Sequence, residues 1–509
     1  MEFNQENRTF RAPCTVLDTV AEQLTDVDLT LPDYCPDIEK ILKCTLNPKI
    51  HSKTLSGGQL QIDGECDVSV LYVGREKKTI RCCEHSVSFS QSFPVRDAGE
   101  GFIIITKTKP EYINCRALSP RRLVMHGAFS LYAKVITPKS AELFEPSGDS
   151  IETLSQTIPL CDLKANCQEQ FTVSEEISAA DKPAVDSLLY TKVTAGLTDA
   201  KAVSGKLLLY GDINISLFYL TDPESGETAK LNCVVPFQQI LDCAGIDENT
   251  DNIYHVEVMS YDVRVKNDIL SDKPTVAFDA MLCVSAEGYT TGEADIVTDA
   301  FCTAYACAPQ FEDMKTVGGV CAIEDTFIQK TTVKIEGSKP SKILDIFADS
   351  GACETMPDGK NVTAKGKLNL CILALDENNV PFAVERACEI ERVLPSADGC
   401  NTVLFGSVRV VSVSYRMTED SAVDVRCELK FTGGAVNSER HRAVSSVEVF
   451  DDKPIAPDNC ALTLYFASTG ESLWDIAKSH NTALAPLMEE NSLDGVTLES
   501  DRMLLIPKL

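Results

Sequence analysis

The sequence predicts a mainly β protein, built from three tandem antiparallel β-rich domains and a small βααβ module at the C-terminal end. Three observations predict it. A proline-led segment, a glycine and an alternating apolar run recur three times at long spacing. A tyrosine follows each glycine at nearly the same distance. After a proline-containing acidic stretch near residue 455, the pattern changes from alternation to helical spacing. A chain of 509 residues exceeds the roughly 250–300 that one core serves, so several domains are expected.

The first repeated element is P-x-[IV]-x-x-[IL]-L. It reads Pro36-Asp37-Ile38-Glu39-Lys40-Ile41-Leu42, then Pro183-Ala184-Val185-Asp186-Ser187-Leu188-Leu189. A looser copy is Pro340-Ser341-Lys342-Ile343-Leu344-Asp345-Ile346. Proline suits a first helical turn and the apolar spacing suits one buried face, so a short helix is expected after each proline. Next comes a glycine, Gly64, Gly211 or Gly366. From each, alternate residues form one apolar face: Cys66, Val68, Val70 and Tyr72; Ile213, Ile215, Leu217 and Tyr219; Leu368, Leu370, Ile372 and Ala374. The residues between are small and mostly polar (Asp67 and Ser69, Asn214 and Ser216, Asn369 and Cys371). A period of two is that of a half-buried strand.

Turn residues follow each strand at Gly74-Arg75-Glu76, Asp222 to Gly226 and Asp376 to Asn379, which predicts three hairpins. Tyr112, Tyr261 and Tyr415 lie 48, 50 and 49 residues after their glycines and mark a second strand pair. The copies are placed at 1–140, 150–295 and 300–454, followed by the module at 461–509. In that module Leu462 to Phe466 is a strand. Ser472 with Asp475 three residues on suggests a capping box opening a helix. Thr482 to Glu490 is a second helix, and Met503 to Pro507 the closing strand. The stretch Asp451 to Asp458 reads as a linker.

Composition narrows the function. A formal net charge of −29 disfavours nucleic acid and anionic lipid as partners. The start MEFNQENRTFRAPCTV has no apolar run after a basic opening. No apolar run approaches the ~18–20 residues of a membrane span. Together these predict a cytoplasmic protein with no transmembrane segment. The 21 cysteines lack metal-ligand spacing and read as small buried side chains. The six histidines are isolated and no phosphate loop occurs. No enzyme, cofactor or metal site is expected.

The three proline-led segments with their glycine-led strands resemble the SPOCS domains of the SipL family of spore-coat morphogenesis proteins, whose analogue in other spore formers is SpoVID. Tyr465, Gly470 to Ala477, Asn491 and Leu504-Leu505-Ile506-Pro507 resemble a LysM module. The resemblance implies a non-enzymatic scaffold that tethers the coat to the outer forespore surface, within the mother-cell cytoplasm. It implies a SpoIVA-like basement-layer ATPase and other coat proteins as partners. The alternative it implies is binding of peptidoglycan, an N-acetylglucosamine polymer, through LysM. The expected partner- or glycan-binding residues are Thr469, Gly470, Glu471, Ser472, Leu473, Trp474, Asp475, Asn491, Leu493 and Asp494. Trp474, the single tryptophan, fits either core packing or a contact anchor.

Overall fold

The computed structural model describes residues 8–146, 150–178, 182–266, 275–337, 339–351, 353–358, 361–395, 399–418, 421–456, 460 and 462–507. The chain is mainly β. One arrangement of strands recurs three times along it. In the first stretch, β1 (Arg8–Thr30), β6 (Arg122–Leu143) and β5 (Ile103–Ser119) form an outer sheet in that order. Between them in sequence, β2 (Ile38–Ser56), β3 (Gln59–Gly74) and β4 (Ile80–Pro94) form an inner sheet. The second stretch repeats this order. Its outer sheet is β7 (Ile151–Ser178), β12 (Thr275–Cys302) and β11 (Asp251–Lys266). Its inner sheet is β8 (Ser187–Val203), β9 (Lys206–Asp222) and β10 (Glu227–Asp242). In the third, β13 (Tyr305–Lys334), β19 (Ala422–Pro454) and β18 (Thr402–Met417) are outer. The first inner strand is interrupted into β14 (Lys342–Asp349) and β15 (Glu354–Asp358), both paired to β16 (Asn361–Leu375), with β17 (Pro381–Pro395) on the other side.

The alternating faces predicted after each glycine are buried in β3, β9 and β16. The glycines have a reason. Phe89 pairs with Gly64 across the sheet and Phe237 with Gly211. A Cβ at either glycine would stand 2.6 Å or less from a ring carbon of that phenylalanine. The aromatic covers the bare backbone, and only glycine leaves room for it. The three marker tyrosines lie on equivalent strands β5, β11 and β18.

The expected short helices are not helices. Each proline-led segment runs into the first inner strand, β2, β8 or β14. The pairing register slips there, between Ile38 and Lys40 and between Ile41 and Lys43, between Leu188 and Tyr190, and between Ile343 and Asp345. A bulge inserts one residue and moves the following side chains to the other face. Ile38 and Ile41 therefore enter their own stretch's core, while Leu42 turns to a shared one. Val185 and Leu188 divide from Leu189 in the same way, and Ile343 and Ile346 from Leu344. A bulged strand buried on both faces spaces its apolar residues as a helix would.

That shared core explains how the stretches assemble. One cluster combines Leu71, Phe218 and Leu373, each seven residues after its glycine, with Leu189, Ile80 and Phe347. A second combines Ile136, Tyr289 and Val436, each paired to the first residue of its β5, β11 or β18. Equivalent positions meet at two places, so the three stretches close on one another about a common centre. Burial of such side chains contributes about 1.5–3 kcal/mol each.

Ionic contacts follow the same seams. Lys53, on β2, is buried and bonds Glu257 on β11, with Ile104 O as a second acceptor at 2.8 Å. Thr106 Oγ1 donates to the same carboxylate at 2.9 Å. Lys43 meets Glu385 at 2.7 Å and Lys230 meets Asp345 at 2.7 Å. Among the described residues, which include all 21 cysteines, no two thiols are joined in a disulfide, and Cys460 alone is exposed.

Candidate LysM site

The last unit is β20 (Thr463–Ala467), α1 (Leu473–Ser479), α2 (Leu484–Glu490) and β21 (Arg502–Ile506), with β20 antiparallel to β21. The expected linker differs from the structure in its first half: β19 continues through Asp451, Asp452 and Lys453 to Pro454, which pairs with Tyr305. Acidic and proline residues are tolerated there because β18 stops pairing at Val436, which leaves the end of β19 paired on one side only. Pro457 and Asp458 lie outside the described residues.

Two loops form the floor of the site. After β20, Gly470 takes φ +90°, a left-handed conformation that glycine adopts freely. Gly470 N–H donates to Leu498 O at 2.8 Å, and Leu498 N–H returns to Glu471 O at 3.1 Å. Ser472 bridges to Thr497, and Leu473 N–H donates to Val496 O at 2.9 Å. The loop before α1 is thus zipped to the loop after α2. The capping box expected between Ser472 and Asp475 does not form, since no side chain caps α1. The loop carbonyl of Val496 satisfies the first free helix N–H instead.

The sequence-predicted residues divide into two sets. Thr469, Gly470, Asp475 and Asp494 are exposed on or beside these loops, with Glu471, Ser472 and Leu493 half-buried. Thr469 donates through its N–H and hydroxyl to Asp501 Oδ1, at 2.7 and 2.8 Å, and these bonds hold the Asp501 carboxyl below its ordinary range. Glu471 Oε2 is buried with no hydrogen-bond partner among the described residues. Leu473, Trp474 and Asn491 lie in the interior. Asn491 donates to Leu487 O and Leu505 O and accepts from Leu505 N–H, all within 2.8 Å. It joins α2 to β21, and its amide is spent internally.

Trp474 is 3% exposed, in a cluster that joins the LysM interior to Phe301, Leu154 and Cys307 of the body. Its Nε1–H donates to Asp299 Oδ2 of β12 at 2.8 Å, and its ring meets Phe301 edge-on at 5.0 Å. Lys478, one turn further on α1, bonds both oxygens of Asp299 at 2.7 and 2.6 Å. Burial pushes the Asp299 carboxyl up, but the bonds from Lys478 and Trp474 outweigh it and hold the group below its ordinary value. Sequence reasoning missed Asp299 and Lys478. Lys478 had a signal, as the one base of α1 at i+4 from Trp474; Asp299 had none.

Segments 37–118 and 184–266 match the family model described as SipL, SPOCS domain, and 468–507 matches the LysM domain model. The chain carries SPOCS domains and a LysM domain. No curated protein and no solved structure matches it. The two SPOCS matches each begin beside the proline-led segment, take in the whole inner sheet and end in the tyrosine strand, β5 or β11. The LysM match spans both zipped loops, α1, α2 and β21. On the outer face of the LysM ribbon, Leu464, Phe466 and Met503 are 57%, 67% and 58% exposed, and Phe466 pairs with Met503 across the strands. Among the described residues no helix is long and apolar enough to cross a membrane.

Proposed function

We propose that this chain is a non-enzymatic scaffold of spore-coat assembly. The observation that carries the reading is the joining of SPOCS domains to a C-terminal LysM domain. In this reading the stretch at 300–454 is a third SPOCS-like copy, and the copies at 1–140, 150–295 and 300–454 form one body. That body tethers the coat to the outer forespore surface in the mother-cell cytoplasm. The LysM domain at 461–509 recruits a SpoIVA-like basement-layer ATPase and other coat proteins. The loop residues Thr469, Gly470, Glu471, Ser472, Asp475, Leu493 and Asp494 form its contact surface, Trp474 continues that surface onto the α1 face, and Leu473 and Asn491 hold the backbone.

The exposed apolar ribbon of Leu464, Phe466 and Met503 favours a protein partner, because contiguous apolar surface of this kind marks interaction sites. Peptidoglycan is the second reading, favoured by the LysM match. The test is a pull-down from sporulating cells, comparing the full chain with one truncated after Pro454 and with Phe466→Asp. A coat ATPase captured by the full chain alone, and at least about tenfold less by Phe466→Asp, is the expected result. Equal capture by the truncated chain overturns the reading, and co-sedimentation of the full chain with purified cell walls selects the glycan instead.

A further inference from the structure

The contact between the LysM domain and the body is built from few groups. On the body side stand Asp299 and Phe301 near the end of β12, Leu154 and Glu152 on β7, and Cys307 on β13. On the LysM side stand Trp474, Lys478 and Leu484. Two carboxylates grip two helices. Asp299 takes Trp474 and Lys478 of α1, and Glu152 Oε2 accepts the first N–H of α2, Leu484, at 3.3 Å. The Lys478–Asp299 pair keeps access to water, with side chains 40% and 21% exposed. A carboxylate or ammonium so placed exchanges its partner for water at modest cost.

The tether is short. Among the described residues, the last backbone bond to the body is Ile455 N–H to Ala304 O at 2.9 Å, and β20 begins at Thr463. Joining the two bodies by so few residues makes docking intramolecular, so a small contact suffices to hold it and a competitor can still displace it.

We propose that Asp299 is a releasable latch, which keeps the α1 face of the LysM domain closed on the body until a partner displaces it. This rests on the LysM domain being the recruiting element. The α1 face, with Trp474 at its centre, is then withheld in the resting chain and opens when the Asp299 carboxylate is removed or outcompeted.

Trp474 is the only tryptophan, so the full chain carries its own reporter. Acrylamide quenching of its fluorescence and limited proteolysis between residues 455 and 462 are measured on wild type, Asp299→Asn, Lys478→Gln and the control Glu489→Gln. Far-UV circular dichroism checks the fold, and Lys478→Gln decides from the LysM side should Asp299→Asn misfold. Quenching at least about twofold stronger, with faster cleavage, is expected for both latch variants and for neither wild type nor control. Unchanged quenching in folded variants overturns the latch. So does stronger quenching without faster cleavage, which would mean a lost hydrogen bond with the domain still in place. No partner enters the measurement, so a failed latch leaves the recruitment reading to the pull-down, and a failed pull-down leaves the latch to this one.

Discussion

Two lysine–carboxylate contacts join parts of this molecule, and they differ in one respect. Lys53 and Glu257 link β2 to β11 with side chains 0% and 12% exposed, whereas Lys478 and Asp299 link the LysM domain to β12 at 40% and 21%. The chemistry is the same. The first pair sits inside the packed seam, where Ile104 O and Thr106 complete its hydrogen bonds. The second sits at a rim. A buried pair is expensive to break because the survivor is left charged in an apolar place, while a rim pair falls back on water. The seam between SPOCS stretches is therefore a permanent joint, and the LysM contact an adjustable one.

The comparison breaks most clearly at Lys53. Lys53→Met strands the Glu257 carboxylate and should cost about 3–5 kcal/mol, read as a fall in the denaturation midpoint. Lys53→Met combined with Glu257→Leu should recover most of the loss, because no unpaired charge remains. An equal loss in the double variant would place the cost in packing rather than in charge. The pH dependence has a definite sign. Burial works to raise the Glu257 carboxyl, but Lys53 and His255 outweigh it and bring the group down to about 2. Its contribution is present above the ordinary carboxylate range and disappears as the pH falls toward that value.

Glu287 sharpens the contrast, because it is buried with no lysine at hydrogen-bond distance among the described residues. Burial pushes its carboxyl up to about 7, against the opposing bond from Tyr289 and the field of Lys134. A raised carboxyl contributes fully below its unfolded value and is lost as the pH rises through the folded one. Wild type should therefore lose roughly 2–3 kcal/mol between pH 5 and 8 from this group. Glu287→Gln should flatten that slope in thermal melts taken across the same range, and an unchanged slope would acquit Glu287. The smallest effect is expected at Lys77, whose partner Glu224 lies across the outside of the first seam with side chains 44% and 78% exposed. Lys77→Ala should change stability by less than about 0.5 kcal/mol in the same denaturation assay. A larger loss there would mean that the seam draws on its rim as well as its centre.

Much of the architecture was legible because strand alternation is a local property. Cys66 to Tyr72 and Ile213 to Tyr219 alternate in the sequence for the same reason that they alternate in space. The LysM loops were legible too, since Gly470 and the segment opening α1 lie close together in sequence. The proline-led segments were misread because a bulge and a helix both carry apolar residues at three- and four-residue spacing. Only the partner strand, with its slipped register, distinguishes them.

What the sequence determined by itself is the periodicity: which faces are apolar, where hairpins turn, and that one pattern recurs. What the tertiary structure alone decided is which distant surfaces those faces meet. Lys53 and Glu257 are 204 residues apart, and Asp299 and Trp474 are 175 apart. No local pattern in a strand specifies a partner at such separations. The pairing is set by how three similar stretches close on one another and by where that closure leaves the end of β12 for the LysM domain to dock.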